Sequence, residues 1–265
     1  MYSIIHDLLS DRKGDEVFRC FGIWHLVFIA SAIFAVALIF FLTRKKSEGI
    51  RRKVPVFLIN FSFGLYVLDF FLMPFAYETI DIEKLPFHVC TAMCVMCFLS
   101  RHVTALEKFR MPFALLGFVS NLVYFIYPAG VMWHGVHPIS YRVIQTLLFH
   151  ASMAAYGFFT FAYDKEGLNI RKWPRDLLTV SLMTLWATLG NILYRGEAGS
   201  YSHDFNWFFT EQDPFGMIPK HISVYVMPFL NVAVFFAAEM LVYGICYLIR
   251  TAARKIGCRS AERNK

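Results

Sequence analysis

Apolar residues run along this chain in seven blocks, separated by shorter polar and basic stretches. The blocks cover about Phe18–Leu42, Val54–Tyr77, Leu85–Ser100, Phe109–Tyr127, Tyr141–Tyr163, Asp176–Leu193 and Pro219–Ile249. Runs of roughly 18 or more apolar residues predict helices long enough to cross a bilayer. The expected fold is therefore all-α, a polytopic membrane protein built as a bundle of seven transmembrane helices. The third block is the shortest, and Pro128 closes the fourth. The seventh is long enough to tilt or to project beyond the bilayer. The first block is long and lacks a small-residue cleavage site, so it reads as a permanent span.

The stretches between blocks divide the chain further. Residues 1–16 form a mixed polar lead-in, 17–250 the transmembrane domain and 251–265 a basic tail. The connector Tyr194–Ile218 carries Gly196, Gly199, Pro214 and Gly216, which are loop signals. Tyr201, Phe205, Trp207, Phe208, Phe209 and Phe215 also lie in it. Such aromatics favour a membrane interface, and the connector is expected to form a lid.

Charge gives the orientation. Of the 26 Lys and Arg residues, nineteen fall on alternate flanks: 44–53, 101–110, 165–175 and 250–265. The positive-inside rule then places the N-terminus outside and the C-terminus in the cytoplasm. The unbroken alternation itself supports seven spans. A formal charge of +7 could point to nucleic acid, but its position in short loops argues for topology instead. Membrane lipids are the expected partners, in a multi-pass protein of the cell membrane, with no nucleic acid. At 57% hydrophobic and 17% charged residues, an ordinary soluble domain is excluded. The six Cys fall mostly within the blocks, so they build no disulfide framework.

With orientation fixed, position becomes depth, at about 1.5 Å per helical residue. His25 lies near the outer end of the first span and Asp69 in the outer half of the second. His88, Cys90 and Thr91 open the third span. Gln145 and His150 lie in the outer half to middle of the fifth, and Asn191 at the outer end of the sixth. The inner half offers only Asn60 and Glu239. A single His or Asn in a membrane helix is often interhelical glue, worth about 1 kcal/mol. An intramembrane carboxylate needs a partner. The shared depth favours one cavity, lined by His25, Asp69, Gln145 and Asn191 and open to the outside.

Three constellations compete for chemistry there. Cys90 could act as a nucleophile with a His base. His88 lies about 200° around a helix from Cys90, so the base would come from His150. His88 and Thr91, three apart, share a face. A metal set could draw on His25, His88, His150 and Asp69, but no HxxxH or HxxE spacing supports it. No metal or other cofactor is expected. Cys94 and Cys97 read as small core residues. His150 serves every one of these schemes, so it is expected to matter more than Cys90.

The segments FGIWHLVF (Phe21–Phe28), LPFHVC (Leu85–Cys90), QTLLFH (Gln145–His150) and LGNILYR (Leu189–Arg195) occur in this order. In them the chain resembles the YwaF-like family of bacterial integral membrane proteins, related to the eukaryotic transmembrane protein 164 family. The eukaryotic relatives are described as acyltransferases that move a fatty acyl chain between phospholipids through a Cys and a His. The resemblance implies a lipid acyltransferase or acyl hydrolase, with His150 as base and Cys90 as nucleophile. The eukaryotic motif has its Cys directly before the His, where this chain has Phe87. The alternatives are a non-enzymatic transporter or lipid-binding protein using the same cavity, and a structural partner in an assembly.

Overall fold

The computed structural model describes residue 9 and residues 16–77, 84–133, 135–164, 168–194, 206–214 and 216–263. The described chain is helical, with no strand among those residues. Its helices are α1 (Ile23–Thr43), α2 (Glu48–Tyr77), α3 (Val89–His102), α4 (Arg110–Ile126), the short α5 (Ala129–Trp133), α6 (Tyr141–Tyr163), α7 (Trp173–Leu193) and α8 (Lys220–Arg263). The seven long ones match the seven apolar blocks in order. The ends differ. α2 begins at Glu48, inside the basic stretch, where Glu48 pairs with Arg52 at 2.6 Å one turn along and extends the helix beyond the apolar residues. α8 continues through the basic tail to Arg263.

Burial ranks the helices. α6 buries fourteen of its 23 residues, whereas α1 buries only His25. So α6 is central and α1 peripheral. α6 packs against α2 and α4, α3 lies between α2 and α4, and α7 and α8 cover the other side of α4. The α4–α6 approach depends on Gly157. A Cβ there would stand 2.9 Å from the Ala114 carbonyl oxygen and closer still to Phe118. Midway along the bundle, Met93 and Cys97 of α3 and Met153 of α6 surround Gly117 of α4, and all three are fully buried. This layer is dry and close-packed. Cys94 is equally buried, and both CxxC thiols are free.

Large apolar side chains cover the perimeter. Phe34 of α1 is 68% exposed and Phe229 of α8 is 78% exposed. Water would not tolerate so continuous an apolar surface, whereas hydrocarbon would. Five helical stretches are long and apolar enough to cross a membrane: those of α1, α2, α4, α7 and α8. α3 is apolar but shorter. α6 is not one of the five: it is shielded by its neighbours and carries Gln145, Thr146, His150 and Ser152.

Bonds between helix ends define two poles. One joins the starts of α1, α3, α6 and α8 to the ends of α2, α4 and α7; it is called the cluster end below. The other, the basic end, gathers Arg44, Arg101, Arg110 and Arg175.

Candidate functional site

At the cluster end, the first turn of α3 is held from both sides. The Phe87 ring is sandwiched between Trp186 and Trp207, with centroids 4.9 Å away in each case. Gly190 makes room for that ring, since a Cβ there would collide with it. The Trp186 indole N–H donates to the Pro86 carbonyl at 2.7 Å. His88 is the N-cap, in extended conformation, and makes no side-chain cap bond. The first N–H groups of a helix have no partner within it. Those of Val89, Cys90 and Thr91 therefore form a positive terminus for an oxyanion. Thr91 Oγ1 turns back and donates to the His88 carbonyl at 3.1 Å. The half-buried Cys90 thiol comes within hydrogen-bond reach of the Ser120 hydroxyl on α4.

His150 enters from α6. Its Nδ1–H donates to the Thr146 carbonyl at 2.7 Å, because a carbonyl can only accept. That bond fixes the proton on Nδ1 and leaves the Nε2 lone pair free of protein partners among the described residues. The imidazole stacks on Tyr124 of α4 at 4.0 Å and lies within electrostatic reach of His88 and Lys84. Ser120 and Tyr124 are one turn apart on α4, about 6 Å. Cys90 and His150 thus sit beside successive turns of one helix face. Gln145, half-buried, accepts from the Thr146 hydroxyl at 3.4 Å.

The remaining polar residues of this end are spoken for. Asp69 Oδ2 pairs with Lys84 Nζ at 2.7 Å, and Oδ1 accepts from the Tyr141 hydroxyl at 3.1 Å. The Tyr66 hydroxyl donates to the Lys84 carbonyl at 2.9 Å. This knot ties α2, the start of α3 and α6 together. His25 is fully buried beside Phe18 and Phe125, away from His150. Its Nδ1 accepts from the Phe21 N–H at 3.0 Å and its Nε2 faces the Phe125 carbonyl at 2.9 Å. Phe21 has φ 56°, a left-handed conformation that costs a bulky residue about 1 kcal/mol or more. His25 is the fastener that holds it. The metal set drawn from His25, His88, His150 and Asp69 is therefore not assembled here: His25 and Asp69 have both their donor atoms committed. Among the described residues, no group of three His, Cys, Asp or Glu side chains is arranged to hold a metal ion.

Asn191 clamps the aromatic connector rather than lining open space. Its Oδ1 accepts from the Trp207 N–H at 2.9 Å, and its Nδ2 donates to the Trp207 carbonyl at 3.1 Å and the Thr210 hydroxyl at 2.8 Å. From α8, Asn231 donates to the carbonyls of Phe208 and Phe209 at 2.6 and 3.1 Å. Both phenylalanines have positive φ, 56° and 53°. The described part, 206–214, is docked, with Trp207 and Phe208 buried and Trp207 edge-on to His88 at 6.4 Å. Tyr201, Phe205 and Phe215 lie outside the described residues, as does most of the lead-in.

The sequence reading passed over Lys84, Ser120, Asn121 and Tyr124. Ser120–Asn121 is a polar pair within an apolar helix, the same signal that marked His150. Asn121 is fully buried; it donates to the Gly117 carbonyl at 2.8 Å, and its Oδ1 has no acceptor role in any bond among the described residues. Towards the basic end the corrections run both ways. Asn60 lies on an exposed face of α2. Glu239 is buried beside Asp176 and Tyr243, so that half is more polar than expected. Arg101, which the sequence assigns to a loop flank, stands in the last turn of α3, and Asp176, the start of the sixth block, lies in the first turn of α7.

A model of the TMEM164 family matches residues 20–249, which include every residue of this site. The chain belongs to the TMEM164 family. No curated protein and no solved structure matches it. Within this TMEM164-family membrane protein, the matched region runs from the Phe21–His25 fastener through α3 and α6 to the full apolar length of α8.

Proposed function

We propose that this TMEM164-family protein is an enzyme acting on a lipid acyl ester, with Cys90 as nucleophile and His150 as base. The supporting observation is the His150 tautomer. Its Nδ1–H is tied to the Thr146 carbonyl, so Nε2 is the basic atom, and Cys90 and His150 lie against Ser120 and Tyr124, α4 residues one turn apart. In the proposed reaction Nε2 takes the Sγ proton. The thiolate attacks the ester carbonyl carbon, and the oxyanion faces the first N–H groups of α3. Collapse releases the lysolipid alkoxide, which takes the proton back from His150. A second lipid hydroxyl, or water in hydrolysis, then gives its proton to His150 Nε2 and attacks the thioester, and the released Cys90 thiolate takes that proton back. Thr91 is the weaker nucleophile, since its hydroxyl proton is given to the His88 carbonyl.

The same reading takes the seven long helices as seven spans, with the cluster end outside and the basic end in the cytoplasm. An acyl ester would reach Cys90 sideways, between helices, without leaving the membrane. The transporter alternative has the dry layer of Met93, Cys97 and Met153 across its path. The test is acyl exchange between phospholipids in reconstituted vesicles. His150→Ala and Cys90→Ser are each expected to lose about 100-fold or more. Full exchange in folded His150→Ala would end the proposal. Loss in His150→Ala with full exchange in Cys90→Ser would move the nucleophile to Thr91.

A further inference from the structure

The basic end holds a cavity of about 840 Å³. That is the size of a pocket for a small organic ligand. Six Lys or Arg side chains and three carboxylates line it. Their pairing is uneven. Arg110 alone takes two of the carboxylates, Asp164 at 2.8 Å and Glu107 at 3.3 Å. Arg101 has no carboxylate among the described residues. Its Nη2 donates to Thr160 Oγ1 at 3.3 Å, its guanidinium lies 5.6 Å over the Tyr156 ring, and its buried Nε has no acceptor. Topology alone would send such a side chain out to water; Arg101 instead turns back into the bundle. Arg175 donates to the Lys108 carbonyl at 3.4 Å and lies within electrostatic reach of Asp176.

The third carboxylate is unmatched in the opposite sense. Asp176 is 1% exposed. Its Oδ2 accepts from the Tyr243 hydroxyl at 2.8 Å, while Oδ1 has no donor among the described residues. Beside it, Glu239 is fully buried with neither oxygen paired among the described residues. The cavity therefore presents unpaired donors with excess positive charge on one wall and an unpaired acceptor on another. Buried groups of both kinds are costly unless something completes them. A guanidinium fork matches phosphate oxygens best. A hydroxyl or ammonium beside the phosphate would meet Asp176 Oδ1.

We propose that this cavity binds a phosphate-bearing ligand with a hydrogen-bond donor next to the phosphate, held by Arg101, Lys108 and Arg175 and oriented by Asp176. This is the chemistry both of a phospholipid headgroup and of a small phosphorylated metabolite. The site is independent of Cys90 and His150, and its test reads binding rather than acyl transfer.

The experiment uses the purified full-length protein in detergent. Glycerophosphoethanolamine and inorganic phosphate are titrated separately, and retained phosphatidylethanolamine is read by native mass spectrometry. Saturable glycerophosphoethanolamine binding, weakened about tenfold or more by Arg101→Gln, identifies a soluble ligand. No soluble binding, but phosphatidylethanolamine retention lost in Arg101→Gln, identifies a headgroup. Asp176→Ala should bring glycerophosphoethanolamine down to the affinity of inorganic phosphate. Arg175→Gln repeats the test should Arg101→Gln not fold. Failure of both probes, or binding unchanged in a folded variant of either arginine, overturns the proposal.

Discussion

The two ends of the bundle treat their polar groups in opposite ways. At the cluster end almost every one is matched within the protein. Asp69 has Lys84 and Tyr141, His25 has Phe21 and Phe125, and Asn191 has Trp207 and Thr210. His150 Nε2 and Asn121 Oδ1 are left over among the described residues, and the Cys90 thiol has only the Ser120 hydroxyl within reach. At the basic end the groups unmatched among the described residues surround a cavity: Arg101 Nε and Asp176 Oδ1, with Glu239 behind. A buried polar group that is fully paired holds the fold, and one left unpaired invites a ligand or a reaction. Position along the bundle, which the residues of the cluster end share, does not separate these roles. Partner accounting does.

The largest effect expected follows from the proposed pairing of Cys90 with His150. Groups that act as one unit are non-additive. So His150→Ala, Cys90→Ser and the double variant should all lose acyl exchange to about the same floor, about 100-fold or more below the parent. Single-turnover exchange in vesicles of matched protein content measures this. Losses that multiply in the double variant would mean that the two residues act separately, and the pairing of thiol and imidazole would be wrong.

The helices were legible because bilayer thickness imposes itself on the sequence as block length. Seven apolar blocks became seven long helices, and basic residues gathered at one end of the bundle as the charge alternation required. The ends were less legible. The Glu48–Arg52 turn is helical through local pairing, which hydropathy does not report, and α8 runs on past its apolar block. In the site, sequence could mark His25, Asp69, Asn191 and His150 as polar at similar depth. Whether a nitrogen or an oxygen is already engaged depends on backbone carbonyls such as those of Phe125, Thr146 and Trp207. Nothing in a residue's identity records those. The basic-end cavity was hidden for a related reason. Its lining joins loop-flank residues such as Arg101 and Lys108 to the ends of apolar blocks such as Thr160 and Asp176, and only packing brings them together.

Asp69 tests the distinction from the structural side. Removing the carboxylate leaves Lys84 without its ion partner, at side-chain exposures of 21% for Lys84 and 4% for Asp69. Breaking one side of such a pair costs about 3 kcal/mol. Asp69→Ala should lower the melting temperature in detergent by that equivalent, and Asp69→Ala with Lys84→Met should recover most of it. If Asp69→Ala instead abolished acyl exchange with an unchanged melting temperature, Asp69 would belong with the reactive atoms.

Gly157 probes the layer that keeps the ends apart. A methyl group there meets the Ala114 carbonyl oxygen at 2.9 Å, a backbone atom that cannot swing away. Overpacking of this kind costs about 2 kcal/mol. Gly157→Ala should lower thermal stability by about that amount, and Gly49→Ala, with nothing within 4 Å, should not. Equal melting temperatures for the two variants would mean that α4 and α6 separate freely, and the dry layer would no longer divide the bundle.

The smallest global effect is expected at Asn191, although its side chain makes three hydrogen bonds. Asn191→Ala leaves the Trp207 N–H and the Thr210 hydroxyl buried without it, a penalty of about 1–3 kcal/mol if the segment stays docked. The segment has another course. Residues 206–214 are held mainly by Asn191, Asn231 and the packing of Trp207 and Phe208, so they can open as a unit while the helices remain folded. Local opening caps the global loss at about 1 kcal/mol. It also relieves the left-handed backbone of Phe208 and Phe209, which docking alone maintains. The variant should therefore melt close to the parent but be cut much faster by protease between residues 206 and 214. Asn231→Ala should act the same way from α8. A global loss of several kcal/mol without faster cleavage would make Asn191 a core residue of α7 and remove it from the class of fasteners that hold one movable piece.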